Sequence, residues 1–105
     1  MTVDTIRSCE GINGSVGSLI RNQIVRAAMS VPSNLAEGSA KRSDREFARY
    51  VRIALGSATE VENHLILAND LEMIDERVFK SLSKQVADVQ KMLSGLEKKL
   101  GDQRR

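Results

Sequence analysis

Two apolar seams with a three-residue gap between their helices constrain this chain more than any other feature. Phe47, Val51, Ala54, Ala58, Val61, Leu65 and Ala68 recur at alternating steps of four and three. Phe79, Leu82, Val86, Val89, Leu93, Leu96 and Leu100 follow the same rhythm. That spacing keeps one stripe of a helix apolar, whereas a strand would scatter it over both faces. The seams predict helices over about 43–71 and 75–100, with only residues 72–74 between them. A connection that short turns the chain straight back, so the two helices are antiparallel neighbours. Ser43 to Glu46 reads as a capping box, in which the Ser43 hydroxyl accepts from the Glu46 amide and the Glu46 carboxylate reaches back. Asp75 is the expected N-cap of the last helix, with Ile74 packing on Phe79 as a hydrophobic staple.

A third long helix is predicted over about 17–38. Ile20, Ile24, Ala27, Ala28, Val31 and Leu35 keep one phase at helical spacing, and that phase runs on across Pro32. Proline removes an amide donor and crowds the carbonyl four residues back, here Ala28, so a bent but continuous helix is expected. Gly38 is expected to end it as a left-handed cap. Gly11, Gly14 and Gly17 interrupt the opening segment, where Val3, Ile6 and Cys9 offer at most two turns of periodicity. The expected fold is therefore all-α: an antiparallel up-down helix bundle with a short or irregular segment over 1–16 in place of a full first helix. Its 105 residues suit one domain, 1–105, ending in a basic tail at 101–105. Three helices and a stub leave an apolar groove incompletely covered, which calls for another chain.

Composition narrows the chemistry. One cysteine, Cys9, excludes an internal disulfide and a cysteine zinc cluster. No apolar run approaches the roughly 18 residues of a membrane span, and the N-terminus lacks the regions of a signal peptide. A cytoplasmic location is the resulting expectation. Aromatic residues make up 3%, so the core should be aliphatic. The net charge of +2 hides a strong segregation: +3 over 41–59, −6 over 60–76 and +5 over 77–105.

The helix at 43–71 carries a second face. At about 100° per residue, Arg42, Arg45, Arg49 and Arg52 fall within about 80° of one another, opposite the apolar seam. Ile53, Gly56, Leu67 and Leu71 lie on that same outer side. A mid-helix glycine costs roughly 1 kcal/mol relative to alanine, so close packing by a partner is expected at Gly56. The helix also begins basic and ends acidic, which opposes its dipole apart from the capping carboxylates. Basic and acidic ends could complement each other between subunits around a ring.

Few residues suggest catalysis or metal binding. Glu60 and His64 share a helix face, but carboxylate-bridged metal bundles need a second Glu-x-x-His and two more glutamates. The chain has one histidine, so no metal and no cofactor are expected. Glu62 projects toward the core side and calls for a partner such as Arg26. No nucleophilic triad, phosphate-binding glycine loop or redox cysteine pair is present, and no catalytic residue is assigned. The stripe of Lys41, Arg42, Arg45, Arg49 and Arg52 admits two readings: contact with RNA or DNA phosphates, helped by Lys98, Lys99, Arg104 and Arg105, or a solvated or subunit-facing surface. With only Tyr50 nearby, any such binding would be directed at the backbone and tolerant of sequence.

The segments SVPSNLAEG (30–38), KRSDREFARYVRIALGSATEVENHL (41–65) and the heptad tail after DLEMID (70–75) resemble the bacterial four-helix bundle family named after the 23S rRNA intervening-sequence protein. The resemblance rests on Ser30-x-Pro32-x-Asn34-x-Ala36-Glu37-Gly38, then Ser43-x-x-Glu46-Phe47, then Ala54-Leu55-Gly56-Ser57-x-x-Glu60-x-Glu62, and covers about 17–100. It implies a small cytosolic bundle that assembles as a cyclic homopentamer, without established enzyme activity, and it marks Ser30, Pro32, Asn34, Glu37, Gly38, Gly56, Glu60 and Glu62 as motif or interface positions. A more distant similarity leads to the accessory protein of diversity-generating retroelements, a pentameric bundle that binds nucleic acid and a reverse transcriptase. The opening MTVDTIRSCEGINGSVG departs from the family's longer first helix, through divergence or a start downstream of it. The functional expectation is a non-enzymatic homo-oligomeric scaffold or adaptor. The alternative is a nucleic-acid-binding accessory protein that uses the basic stripe.

Overall fold

A computed structural model describes residues 1–103; Arg104 and Arg105 of the expected basic tail lie outside the described residues. The described chain is all-helical, with α1 over Thr2–Cys9, α2 over Ser15–Ser39, α3 over Asp44–Asp70 and α4 over Glu76–Gln103. It forms a rod of 49 × 21 × 17 Å. α3 is the central element. α2 and α4 pack along its two sides, and their backbones do not approach each other. α1 lies mainly on α2 and touches α4 lightly, so it fills a fourth position over part of the bundle's length.

The seams bury as their spacing requires. Val51, Ala54, Ala58, Val61, Leu65 and Ala68 of α3 are each fully buried, as are Ile24 and Ala28 of α2 and Val86 of α4. Phe47, Phe79, Val89 and Leu96 sit half-buried at the margins. The core divides into two clusters. One joins Cys9, Ile12, Ile20, Ile24, Val61, Leu65, Leu82 and Val86 beneath α1. The other joins Val31, Ala48, Val51, Ala54, Ala58, Leu93 and Leu100 beyond it. Leu35, Val89 and Leu96 edge the second cluster and stay half-buried in the expected groove. α1 turns Thr5 and Cys9 fully inward and leaves Val3 exposed, so its buried face differs from the Val3-Ile6-Cys9 spacing. Burial pushes the Cys9 thiol pKa up, with Arg21 opposing, which keeps the sulfur protonated.

Helix ends follow their caps. Ser43 Oγ accepts from the Glu46 amide at 3.2 Å. The return half of the capping box is replaced: Glu46 Oε2 turns to Arg49 Nη2 at 3.5 Å. Asp75 Oδ1 accepts from the Arg77 amide at 2.7 Å, which makes Asp75 the N-cap of α4. The expected left-handed cap at Gly38 is corrected, because α2 continues to Ser39 and Gly38 lies inside it. The left-handed residue is Glu72, at φ 57°, just beyond α3. There the Met73 amide donates to the Ala68 carbonyl at 2.8 Å and the Glu72 amide to the Asn69 carbonyl at 3.0 Å. That pairing is a Schellman motif, which satisfies two carbonyls that the helix leaves open.

α2 runs unbroken through Pro32. Proline has no N–H, so the Ala28 carbonyl lacks its usual donor one turn ahead. Thr2 Oγ1 fills that place, donating to Ala28 O at 3.1 Å from the first turn of α1. The proline thus leaves open the acceptor that ties the N-terminal helix to the bundle. A buried carbonyl left without a partner would cost about 1–3 kcal/mol, so the pairing matters.

Candidate subunit and nucleic-acid interface

The residues singled out by sequence separate into two groups once the helices are placed. The first group is structural. Asn34 Nδ2 donates to Ser30 O at 2.8 Å and to Ser30 Oγ at 2.9 Å. Ser30 Oγ lies 2.8 Å from Ser57 Oγ on α3. Ser57 Oγ donates to the Ile53 carbonyl at 3.2 Å, so its only proton is committed there. Ser30 must therefore be the donor to Ser57. The result is a directed chain from Asn34 through Ser30 and Ser57 to Ile53, which clamps α2 to α3. The sequence places Ser57 in the motif but assigns it no role, because nothing in its own neighbourhood shows which residue of α2 will face it.

Gly38 belongs to the same group. A methyl group on it would stand 2.6 Å from Tyr50 Cβ and 3.0 Å from Phe47 Cδ1. The glycine exists so that α2 and α3 can cross closely beside their corner, not to end a helix. Pro32 is exposed, and its role is the open Ala28 carbonyl described above.

The second group faces outward. Ile53 and Leu67 on α3, and Leu71 just past its end, are 43%, 44% and 48% exposed. Gly56 lies among them with nothing within 4 Å of where a side chain would begin. Glu60 is exposed on the same side, and Glu37 is exposed on α2. Ser30 opposite Ser57 and Gly38 against Tyr50 fix an antiparallel register for α2 and α3. That register brings Leu19 of α2, 67% exposed, level with Leu67 and Leu71. Glu62 and His64 are half-buried. The expected pair of Glu62 with Arg26 is not among the ion pairs of the described residues, and the partial exposure of Glu62 removes the need for one. Among the described residues no three His, Cys, Asp or Glu side chains come together as a metal site would require.

The basic stripe divides as well. Lys41 Nζ stands 5.3 Å from the centre of the Tyr50 ring, and the Arg49 guanidinium stands 5.0 Å from it. Two cations therefore share one aromatic ring at the α2–α3 corner, an arrangement favoured by the ring's quadrupole. Arg42 and Arg45 are exposed beside them. Arg52 is drawn aside, with Nη1 3.6 Å from Glu97 Oε1 on α4. Exposed pairs of this kind contribute about 0–1 kcal/mol, so an arriving anion could displace them at little cost. The cluster at the corner is thus Lys41, Arg42, Arg45 and Arg49, of which Arg49 also pairs with Glu46, while Arg52 reaches across to Glu97 of α4. Lys98 and Lys99 lie exposed near the far end of α4.

Comparison with known proteins agrees with the helical fold. The sequence profile described as "23S rRNA-intervening sequence protein" matches residues 3–95. The match begins before the segment at 17 where the sequence resemblance was placed, so it takes in α1, and it ends within α4. A crystal structure of a protein of unknown function, from the S23 ribosomal protein family of Bacteroides thetaiotaomicron, is similar with a TM-score of 0.78. The two share 24% identity over 91% of this chain and 85% of that one, a likeness of fold. No curated protein matches the chain.

Proposed function

Since this chain belongs to the 23S rRNA-intervening sequence protein family, we propose that it acts as a non-enzymatic homo-oligomeric scaffold or adaptor. In this reading residues 1–105 form one cytoplasmic helical-bundle domain whose partner is another copy of itself, closed into a ring of five. No helix of the described residues is long and apolar enough to cross a membrane. The observation that carries the proposal is the outer face of α3, where Ile53, Gly56, Leu67 and Leu71 stand exposed on a helix whose other face is fully buried. A monomer gains nothing from four such positions in one line, whereas a subunit boundary gains apolar burial. Gly56 suits it further, since a bare backbone lets a second helix approach closely.

Light scattering on the purified protein tests this directly. The expected result is an oligomer, and a monomer from Ile53→Glu combined with Leu67→Glu with unchanged helical content. A wild-type protein that is monomeric at tens of micromolar would overturn it.

One observation favours a second reading, a nucleic-acid accessory role: Lys41, Arg42, Arg45 and Arg49 converge at one corner with no buried partner. Repeated around a ring, that corner would present a strong positive field to phosphates. Binding that falls steeply with salt, and that Arg45→Ala with Arg49→Ala abolishes, would favour this reading. An unchanged salt slope in that variant would remove the corner from the mechanism.

A further inference from the structure

The shortness of α1 has a second effect on its other side. Because α1 lies on α2 and only brushes α4, a cleft of about 410 Å³ opens between α1 and α4. Asp4, Arg7 and Ser8 form one wall, at spacings that put them on one face of α1. Arg77, Ser81 and Gln85 form the other, at repeated steps of four along α4. Val78, half-buried, completes the lining as its apolar part, over the buried Leu82. Gln85 Nε2 donates to Asp4 Oδ2 at 3.2 Å, which bridges the two walls and occupies the cleft's one carboxylate.

That leaves two guanidinium groups, one on each wall, and two hydroxyls. Neither Arg7 nor Arg77 takes part in an ion pair among the described residues, although Lys80, one turn of helix from Glu76, pairs with it at 3.5 Å. The Arg77 main chain is held in place because its amide donates to the Asp75 cap. Arginine presents a planar fork of donors that matches phosphate oxygens, and serine hydroxyls add donors at short range. A cleft with paired guanidinium groups, hydroxyls and an apolar portion is suited to a small phosphate monoester carrying an apolar group. A bare phosphate would leave the exposed part of Val78 unused.

We propose that the α1–α4 cleft is a binding site for small organic phosphate monoesters, with Arg7 and Arg77 holding the phosphate from opposite walls and Val78 receiving the organic group. The site is separate from the basic corner at Tyr50 and needs no oligomer. Asp4 lowers the cleft's positive charge, so the proposal also fixes the sign of its substitution: Asp4→Asn should tighten binding.

Titration calorimetry with phenyl phosphate, inorganic phosphate and benzoate tests the site on the full chain. Phenyl phosphate is expected to bind saturably and about tenfold tighter than inorganic phosphate, with benzoate weaker than both. Arg7→Gln and Arg77→Gln should each weaken phenyl phosphate about tenfold or more, a typical cost of losing a charge-assisted contact. Lys80→Gln, beside the cleft but not lining it, should leave binding within twofold. These side chains are exposed, so circular dichroism should show the same fold in every variant. No saturable binding, equal losses from Lys80→Gln, or full affinity in Arg7→Gln with Arg77→Gln would each overturn the assignment.

Discussion

The two ends of this bundle solve the same packing problem with different residues. Under α1 four helices meet, and α3 gives Val61, Leu65 and Ala68 to a core that also takes Ile12, Ile20, Ile24 and Leu82 beside Ala27 and Ala28. Beyond α1 only three helices contribute, and the core of α3 falls to Ala48, Ala54 and Ala58 around Val51. The change is a matter of volume. Without a fourth helix, close approach of α2 and α4 to α3 excludes water, and small residues of α3 permit it. Gly38, whose added methyl would meet Tyr50 Cβ at 2.6 Å, is the extreme case at that end. The fold is thus wide where α1 reaches and tight where it does not.

This contrast predicts opposite sensitivities. In the wide half, removing volume should do most damage. Leu65→Ala is expected to cost about 2–5 kcal/mol in urea unfolding, the range for an enclosed leucine. A loss below 1 kcal/mol would mean that α1 does not enclose the core there. In the tight half, adding volume should hurt instead. Gly38→Ala is expected to cost about 1–3 kcal/mol, although alanine is the better helix former. Stabilisation by Gly38→Ala would show that the crossing has room to spare. A last effect concerns the boundary between halves. Thr2→Val keeps the shape but removes the donor to Ala28, and should cost about 1–3 kcal/mol as an unpaired carbonyl. In the Pro32→Ala background, where the helix supplies its own amide, the same change should cost less than half as much. Equal costs in both backgrounds would break the link between proline and hydroxyl.

Much of the wide architecture could be read directly from spacing. The α3 and α4 seams state their own inward faces, and the short link between them leaves no topology but an antiparallel hairpin. Asp75 and Ser43 were legible as caps because a cap is a local interaction, complete within a few residues. The roles that escaped are those set by a distant neighbour. Gly38 fits a helix terminus by every local rule, and only Tyr50, twelve positions on, shows that it is a crossing point. Glu72 carries no local signal for a left-handed cap, yet the turn into α4 imposes one. Ser30 and Asn34 stand out in the motif as candidate contacts, but Ser57 turns them into a clamp. On the candidate surface, the outer stripe of α3 was legible because exposure is the complement of the seam. The splitting of the basic stripe was not, since Glu97 comes from another helix.

The Pro32 gap has a consequence for how α1 finds its place. An aliphatic helix face is nearly uniform along its length, so a short helix lying on it could slide by a turn at little cost. One unpaired carbonyl changes that, because it is a single address on an otherwise smooth track. Only one axial position lets Thr2 Oγ1 reach Ala28 O, so any slip forfeits the bond. A missing hydrogen atom at residue 32 thereby acts as a registration mark for a helix some thirty residues earlier in the chain. Hydrophobic burial alone could hold an eight-residue helix down, but it could not say where.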